Sequence, residues 1–177
     1  MPFINGKFYM NPAYGRAVER TRQPGASAAT PGPNDHAAEG HWVTIDHRHV
    51  FIDETRSRIA ATARKYRGST AWAFDKRKDG FGPNTNKCNK FVYDVTKEAG
   101  APATVTGSDG KPRPPLAAEW ADPRVSIPGW RILGPNEQPQ PGDVAAYKLP
   151  GHVTYTGHSG IVTSTDQNGA VHGDRRA

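Results

Sequence analysis

The sequence predicts an α+β domain in which mid-chain helices pack on a small C-terminal antiparallel sheet. Three observations carry that expectation. Two stretches, Glu54 to Tyr66 and Asn86 to Ala99, place apolar residues at the three- and four-residue spacing of a helix buried along one side. After Gln140 the pattern changes to short β-rich runs between turn residues, and it includes Asn168-Gly169, a strong hairpin signal. The 19 glycines, 16 prolines and 35% hydrophobic content among 177 residues fit a modest core carrying many loops.

Taken in order, the chain opens on a short aromatic segment (Phe3, Phe8, Tyr9), and a helix is expected from Pro12 with Asn11 as its cap. Gln23 to Gly40 is rich in Pro, Gly, Ala and Ser with no apolar period, which reads as linker. Residues 1–40 are therefore expected to form an arm and linker, and residues 41–177 the main domain. His41 to Ile52 predicts two short strands around a polar turn at Asp46-His47-Arg48. His47 and His49, with His41 near, have a spacing that a metal site could use. No carboxylate completes a ligand set, so they are read as solvated turn histidines.

Asp53 is a candidate cap for the first mid-chain helix, whose buried stripe is Ile59, Ala60, Ala63 and Tyr66, with Gly68 ending it. A polar, glycine-bearing loop from Asp75 to Asn86 leads to the second. There Asn86 is the expected N-cap, Cys88 falls in the first turn, and Phe91, Val92, Val95 and Ala99 form the apolar face up to Gly100. Residues 101–115 are read as exposed turns, Pro115 as the start of a short helix through Trp120, and residues 122–134 as an irregular packed loop. Trp72, Trp120 and Trp130 are expected to be core or loop anchors. The last third predicts a turn from Gln140 followed by a strand to Lys148, a strand from His158 to Ser164, and a third strand beginning at Ala170.

The net charge of +6 suits an anionic partner such as nucleic acid, cell-wall polymer or a membrane surface. The charges are scattered, however, without a run of five, so a solvated basic surface is expected and nucleic-acid binding is not. No apolar run approaches 18 residues, so no membrane span is expected. A single cysteine excludes an internal disulfide framework and a multi-cysteine zinc site. The N-terminal ten residues lack a basic start and a long apolar core, so a protein secreted or delivered to the periplasm or cell wall without a Sec signal peptide is the expectation.

Chemistry centres on Cys88. In the first turn of a helix, free N–H groups and the helix dipole favour a thiolate, with Lys87 and Lys90 adding positive charge. A thiol nucleophile needs a base, and the base is best oriented by a third polar group. His158 at a strand start is the candidate base. His172, on the next antiparallel strand, is the candidate orienter and is expected near His158 across the ladder.

Three motifs in order, Cys88-Asn89-Lys90-Phe91-Val92 on a helix, Gln140-Pro141-Gly142-Asp143-Val144 before a strand, and Gly157-His158-Ser159-Gly160-Ile161-Val162, resemble the papain-like cell-wall peptidases and amidases, the NlpC-type and CHAP-like domains. The resemblance covers roughly residues 54–174. It implies a papain-like fold, a nucleophile at Cys88, a general base at His158 and a third polar residue on the following strand, His172, with Asp174 and Asp166 as alternatives. Asp143 corresponds to a structural position. Lys87 and Asn89-Lys90 depart from the NlpC-type pattern around the cysteine and lean towards the CHAP-like branch. The implied activity is hydrolysis of peptide or amide bonds of peptidoglycan through a Cys thioester, by a phage lysin or antibacterial effector, with no cofactor. An immunity or delivery protein would be a partner. Alternatives are a thiol hydrolase acting on a non-cell-wall amide, or a non-catalytic basic binding module.

Overall fold

The computed structural model describes residues 15–20, 40–45, 48–133, 138–149, 157–165 and 171–174. In chain order the elements are β1 (Gly15–Arg20), β2 (Gly40–Ile45), β3 (Arg48–Asp53), α1 (Glu54–Lys65), α2 (Cys88–Glu98), β4 (Val105–Thr106), β5 (Pro112–Arg113), α3 (Ala117–Ala121), β6 (Trp130–Ile132), β7 (Val144–Lys148), β8 (Gly157–Thr165) and β9 (Val171–Asp174). A five-stranded antiparallel sheet has the order β6-β1-β7-β8-β9, and β2–β3 and β4–β5 are separate hairpins. The architecture is α+β, as the sequence predicts.

The two helices form where the apolar spacing puts them. Ile59, Ala60 and Ala63 of α1 and Phe91, Val92 and Val95 of α2 are buried, and Tyr66 packs partly buried at the edge. Both helices lie on β8, and α1 also touches α2. Their apolar faces share one core with Trp72, Trp120, Trp130, Val144, Ala146 and Ile161. Full burial of each large apolar side chain contributes about 1.5–3 kcal/mol, so this seam is the main stabilising layer. The tryptophans act as the expected anchors. Trp72 meets Tyr66 and Phe91 edge-on at 4.9 and 5.3 Å, and its Nε1–H donates to Asp94 at 2.8 Å. Trp120 and Trp130 meet edge-on at 5.1 Å.

At β7 and β8 the sheet is covered on both sides. Val144 and Ala146 join the main core, whereas Ala145 and Val162 form a second cluster. Alternation along a strand separates the two sets, which explains why Val144-Ala145-Ala146 is apolar throughout.

Two expectations about the N-terminal region need correction. Residues 15–20 are a strand, where a helix from Pro12 was expected, and β1 sits between β6 and β7 within the sheet, paired on both sides. The segment expected to be an arm therefore supplies a strand to the main sheet. Gly15-Arg-Ala-Val-Glu-Arg has no distinguishing period of its own, so its state is decided by its partners. The β2–β3 hairpin is as expected, with Trp42 opposite Phe51 and Ile45 opposite Arg48. The aromatic residues 3–9, most of the linker, His36, His47, His152 and the tip at 166–170 lie outside the described residues.

Further along, the chain orders more than its turn-rich composition suggests. Residues 105–113 form a minimal hairpin closed by Gly107 N–H donating to Lys111 O at 2.8 Å. Arg113 then donates two bonds to Glu119 of α3, 2.8 and 2.6 Å, while Glu119 also accepts the Leu116 N–H at 2.7 Å. The expected loop at 122–134 ends in the short edge strand β6, entered through Gly129 at φ 78°.

Candidate active site

The loop from Ala73 to Asn86 delivers the chain to α2 and is built around a tight turn. Lys78 and Phe81 exchange both backbone hydrogen bonds, at 3.0 and 2.9 Å, across Asp79-Gly80. Both turn residues have positive φ, 43° and 89°, the signature of a two-residue hairpin turn with the twist of the flanking chain. Asn84 N–H donates to Phe74 O at 2.7 Å and closes the base of the loop.

The helix starts at Cys88 itself, with Lys87 as N-cap, where Asn86 was expected. No side chain caps it; the Lys87 carbonyl receives the Phe91 N–H at 2.8 Å. Cys88 is buried at 5% exposure, with its backbone at the helix opening where N–H groups have no intrahelical acceptor. Two lysines flank it and both are buried. Lys90 pairs with Asp94 one turn on and with Asp79 of the loop, the latter at 3.1 Å. Burial opposes its charge, but the bonds and charges of Asp94 and Asp79 outweigh that and raise its pKa above the ordinary lysine value. Asp79 is correspondingly lowered by Lys90. The ammonium thus staples the turn of the loop to the helix carrying the cysteine.

His158 is the second residue of β8, buried at 4% exposure. Its strand partner on β7 is Tyr147, and the two rings lie 6.1 Å apart at 41°. The preceding Gly157 has φ 150°, and a Cβ there would stand 2.0 Å from Tyr147 O. Only glycine fits so close to the neighbouring backbone. Gly157→Ala is expected to cost at least about 1 kcal/mol, read from the denaturant midpoint, and to displace the His158 ring signals in an NMR spectrum.

The Gln140–Asp143 turn locks this strand from behind. Gly142 N–H donates to Val162 O and Val162 N–H to Asp143 O, both at 2.8 Å. The Asp143 carboxylate is fully buried, receives Arg56 of α1 at 3.0 and 2.8 Å, and accepts the Gln140 N–H at 2.7 Å. One residue therefore ties α1 and the turn through its side chain and β8 through its backbone carbonyl, consistent with the structural position expected for Asp143. Gly142, at φ 98°, has the Arg56 carbonyl 2.4 Å from where a Cβ would be.

The strand after His158 is placed differently from the expectation. His172 pairs with Ser164, and Asp174 with Ile161, with a bulge between Val162 and Ser164. At about 3.3 Å per residue, His172 is then displaced about 20 Å along the ladder from His158, and Asp174 about 10 Å. The near cross-strand match of His172 with His158 does not hold, because Thr165 pairs with Val171 and so centres the turn on Asn168, whereas pairing His158 with His172 needs a turn centred on Thr165. Asp174 is the nearer of the two in register; Asp166 lies outside the described residues.

So α2, opened by Cys88, and β8, begun by Gly157-His158, pack directly on one another, held by the Asp143–Arg56 pair and the stapled loop. The buried lysines and the Arg56 anchor are what sequence reasoning missed; their unusual burial has no signature in hydropathy. Among the described residues no cluster of three or more His, Cys, Asp or Glu is arranged to hold a metal ion. No helix among them is long and apolar enough to cross a membrane. A family model described as CHAP domain matches residues 77–174, a span holding Cys88, His158, His172 and Asp174. No curated protein and no solved structure matches the chain.

Proposed function

The chain belongs to the CHAP domain family, a papain-like group of peptidoglycan hydrolase domains, and on that premise we propose that it is a cysteine amidohydrolase or endopeptidase cutting an amide bond of peptidoglycan. The observation that supports this most directly is the packing of the Cys88-headed helix on the strand that begins with Gly157-His158, both within the family match.

The steps follow from the residue types. The Cys88 sulfur attacks the amide carbonyl carbon, and the carbonyl oxygen takes up the negative charge. Backbone N–H groups at the α2 opening, that of Cys88 among them, are donors available to that oxygen. His158 carries the thiol proton to the leaving amine as the C–N bond breaks, which leaves a thioester. Water, deprotonated by His158, then attacks the thioester to release the carboxylate and restore the thiol. A polar group on β9 orients His158 in this scheme, and register favours Asp174 over His172. The +6 net charge favours a substrate rich in carboxylates. Action on a cell wall outside the producing cell, as a lysin or an antibacterial effector with an immunity or delivery partner, is the biological setting we assign to it.

Incubation of the purified chain with peptidoglycan sacculi should release new amine termini without new reducing sugar ends. New reducing ends alone would mean glycosidic cleavage and overturn the proposal. Inert sacculi beside thiol-dependent cleavage of a non-cell-wall amide would move the substrate elsewhere.

A further inference from the structure

Lys87 is a cation with 0% exposure, one residue before the nucleophile. An ammonium has three N–H donors and no acceptor, and here each has a carbonyl. Nζ donates to Thr85 O at 2.9 Å and to Ala73 O and Phe74 O at 3.3 Å each. Among the described residues Lys87 forms no ion pair. Burying a charge in this way is costly unless its hydrogen bonds are complete, and three carbonyl dipoles complete them.

What those three carbonyls share is their place in the chain. Ala73 and Phe74 begin the loop that precedes α2, and Thr85 is nearly its last residue. The ammonium therefore ties both ends of the loop to one point, at the residue where the chain turns into the helix. Lys87 is the N-cap of α2, with φ −123° and ψ 18°, yet its side chain caps nothing in the helix. Its backbone points into the helix while its side chain reaches back into the loop. The direction in which the chain enters α2 is fixed by that opposition, and the next backbone N–H and the next side chain are those of Cys88.

We propose that Lys87 is a positioning residue for the Cys88 reaction: its buried ammonium sets the entry of the chain into α2 and so holds the Cys88 sulfur and N–H in reacting geometry. The inference rests on the hydrolase reading above and assigns part of that site's geometry to a residue outside the Cys–His pair. A solely structural lysine would make a different prediction. It would alter the fraction of molecules folded but leave the turnover of each folded molecule unchanged.

The test uses the full chain carrying Lys87→Met, which keeps the length of the side chain and removes the donors. Competent sites are counted by stoichiometric alkylation of Cys88, and kcat and KM are measured separately on peptidoglycan. The expected result is a fall in kcat per titrated thiol of about 100-fold, the effect of a misplacement near 1 Å, with KM changed less than about threefold. Lys87→Gln, which retains two N–H donors, is expected to lie between wild type and Lys87→Met, and it carries the test if Lys87→Met does not fold. The rate of Cys88 alkylation by iodoacetamide is a second measure that needs no turnover, and it should change by about tenfold. Exposed Lys65→Met serves as the control and should leave both measures unchanged. Unchanged kcat per titrated site together with an unchanged alkylation rate would overturn the inference, even if the melting temperature falls. If wild type leaves peptidoglycan intact, the hydrolase reading fails by itself, and the alkylation rates still decide whether Lys87 positions Cys88.

Discussion

Replacing Cys88 with serine is expected to lower peptidoglycan cleavage by about 10⁴-fold or more, the scale seen when a nucleophile is removed from a working acyl-transfer site. Serine has nearly the shape of cysteine, so the fold should hold to within about 1 kcal/mol, and the loss would be chemical. Cys88→Ala should lose as much, because neither side chain offers a thiolate. Both variants should still sediment with sacculi, since the basic surface is untouched. The measurement is release of amine termini per mole of folded protein. Cleavage persisting in both variants would show that another group forms the bond and would sink the thioester scheme.

A second large effect is expected at the pair formed by Arg56 and Asp143. Asp143 is fully buried, the Arg56 side chain is 9% exposed, and they meet at 2.8 Å. Removing one partner takes this pairing from the other buried charge, so Asp143→Leu or Arg56→Met should each cost about 3–5 kcal/mol. For a chain of this size that lowers the melting temperature by roughly 10 °C. The double variant Arg56→Met/Asp143→Leu should cost far less than the two single changes combined, because neither charge is then left without its opposite. Chemical denaturation of the four proteins gives the cycle. Single variants as stable as wild type would show that this pair does not hold α1 to β8.

How far the sequence disclosed this molecule depends on the kind of signal each part carries. Ile59-Ala60-Ala63 and Phe91-Val92-Val95 were legible because helical burial writes a period into the chain. The Gln140–Asp143 turn and the Gly157-His158 strand start were legible because tight turns demand particular residues. Three features left no such mark. The strand state of residues 15–20 comes from pairing on both sides, with partners more than a hundred residues away. The register of β9 along β8 is shifted by a bulge that no residue type announces. Lys87 and Lys90 read as solvated charges in any hydropathy scale, yet they are buried because carbonyls and carboxylates happen to surround them. Cys88 and His158 were proposed as site residues from motif order, and Asp143 was assigned a structural place by the same route.

The position of β1 in the sheet bears on how the protein is made. Its partners β6 and β7 begin at Trp130 and Val144, so the first of the described strands to leave the ribosome must wait for residues more than a hundred positions later. Such long-range pairing slows folding, because a large loop is closed before any contact rewards it. Until then the helical layer of α1 and α2 has no completed sheet to rest on, and β8, which carries His158, has not yet packed on α2. Under the proposed mechanism, a chain that has emerged only as far as α2 would carry the thiol without its proposed base, and activity would wait for β8 to emerge and pair.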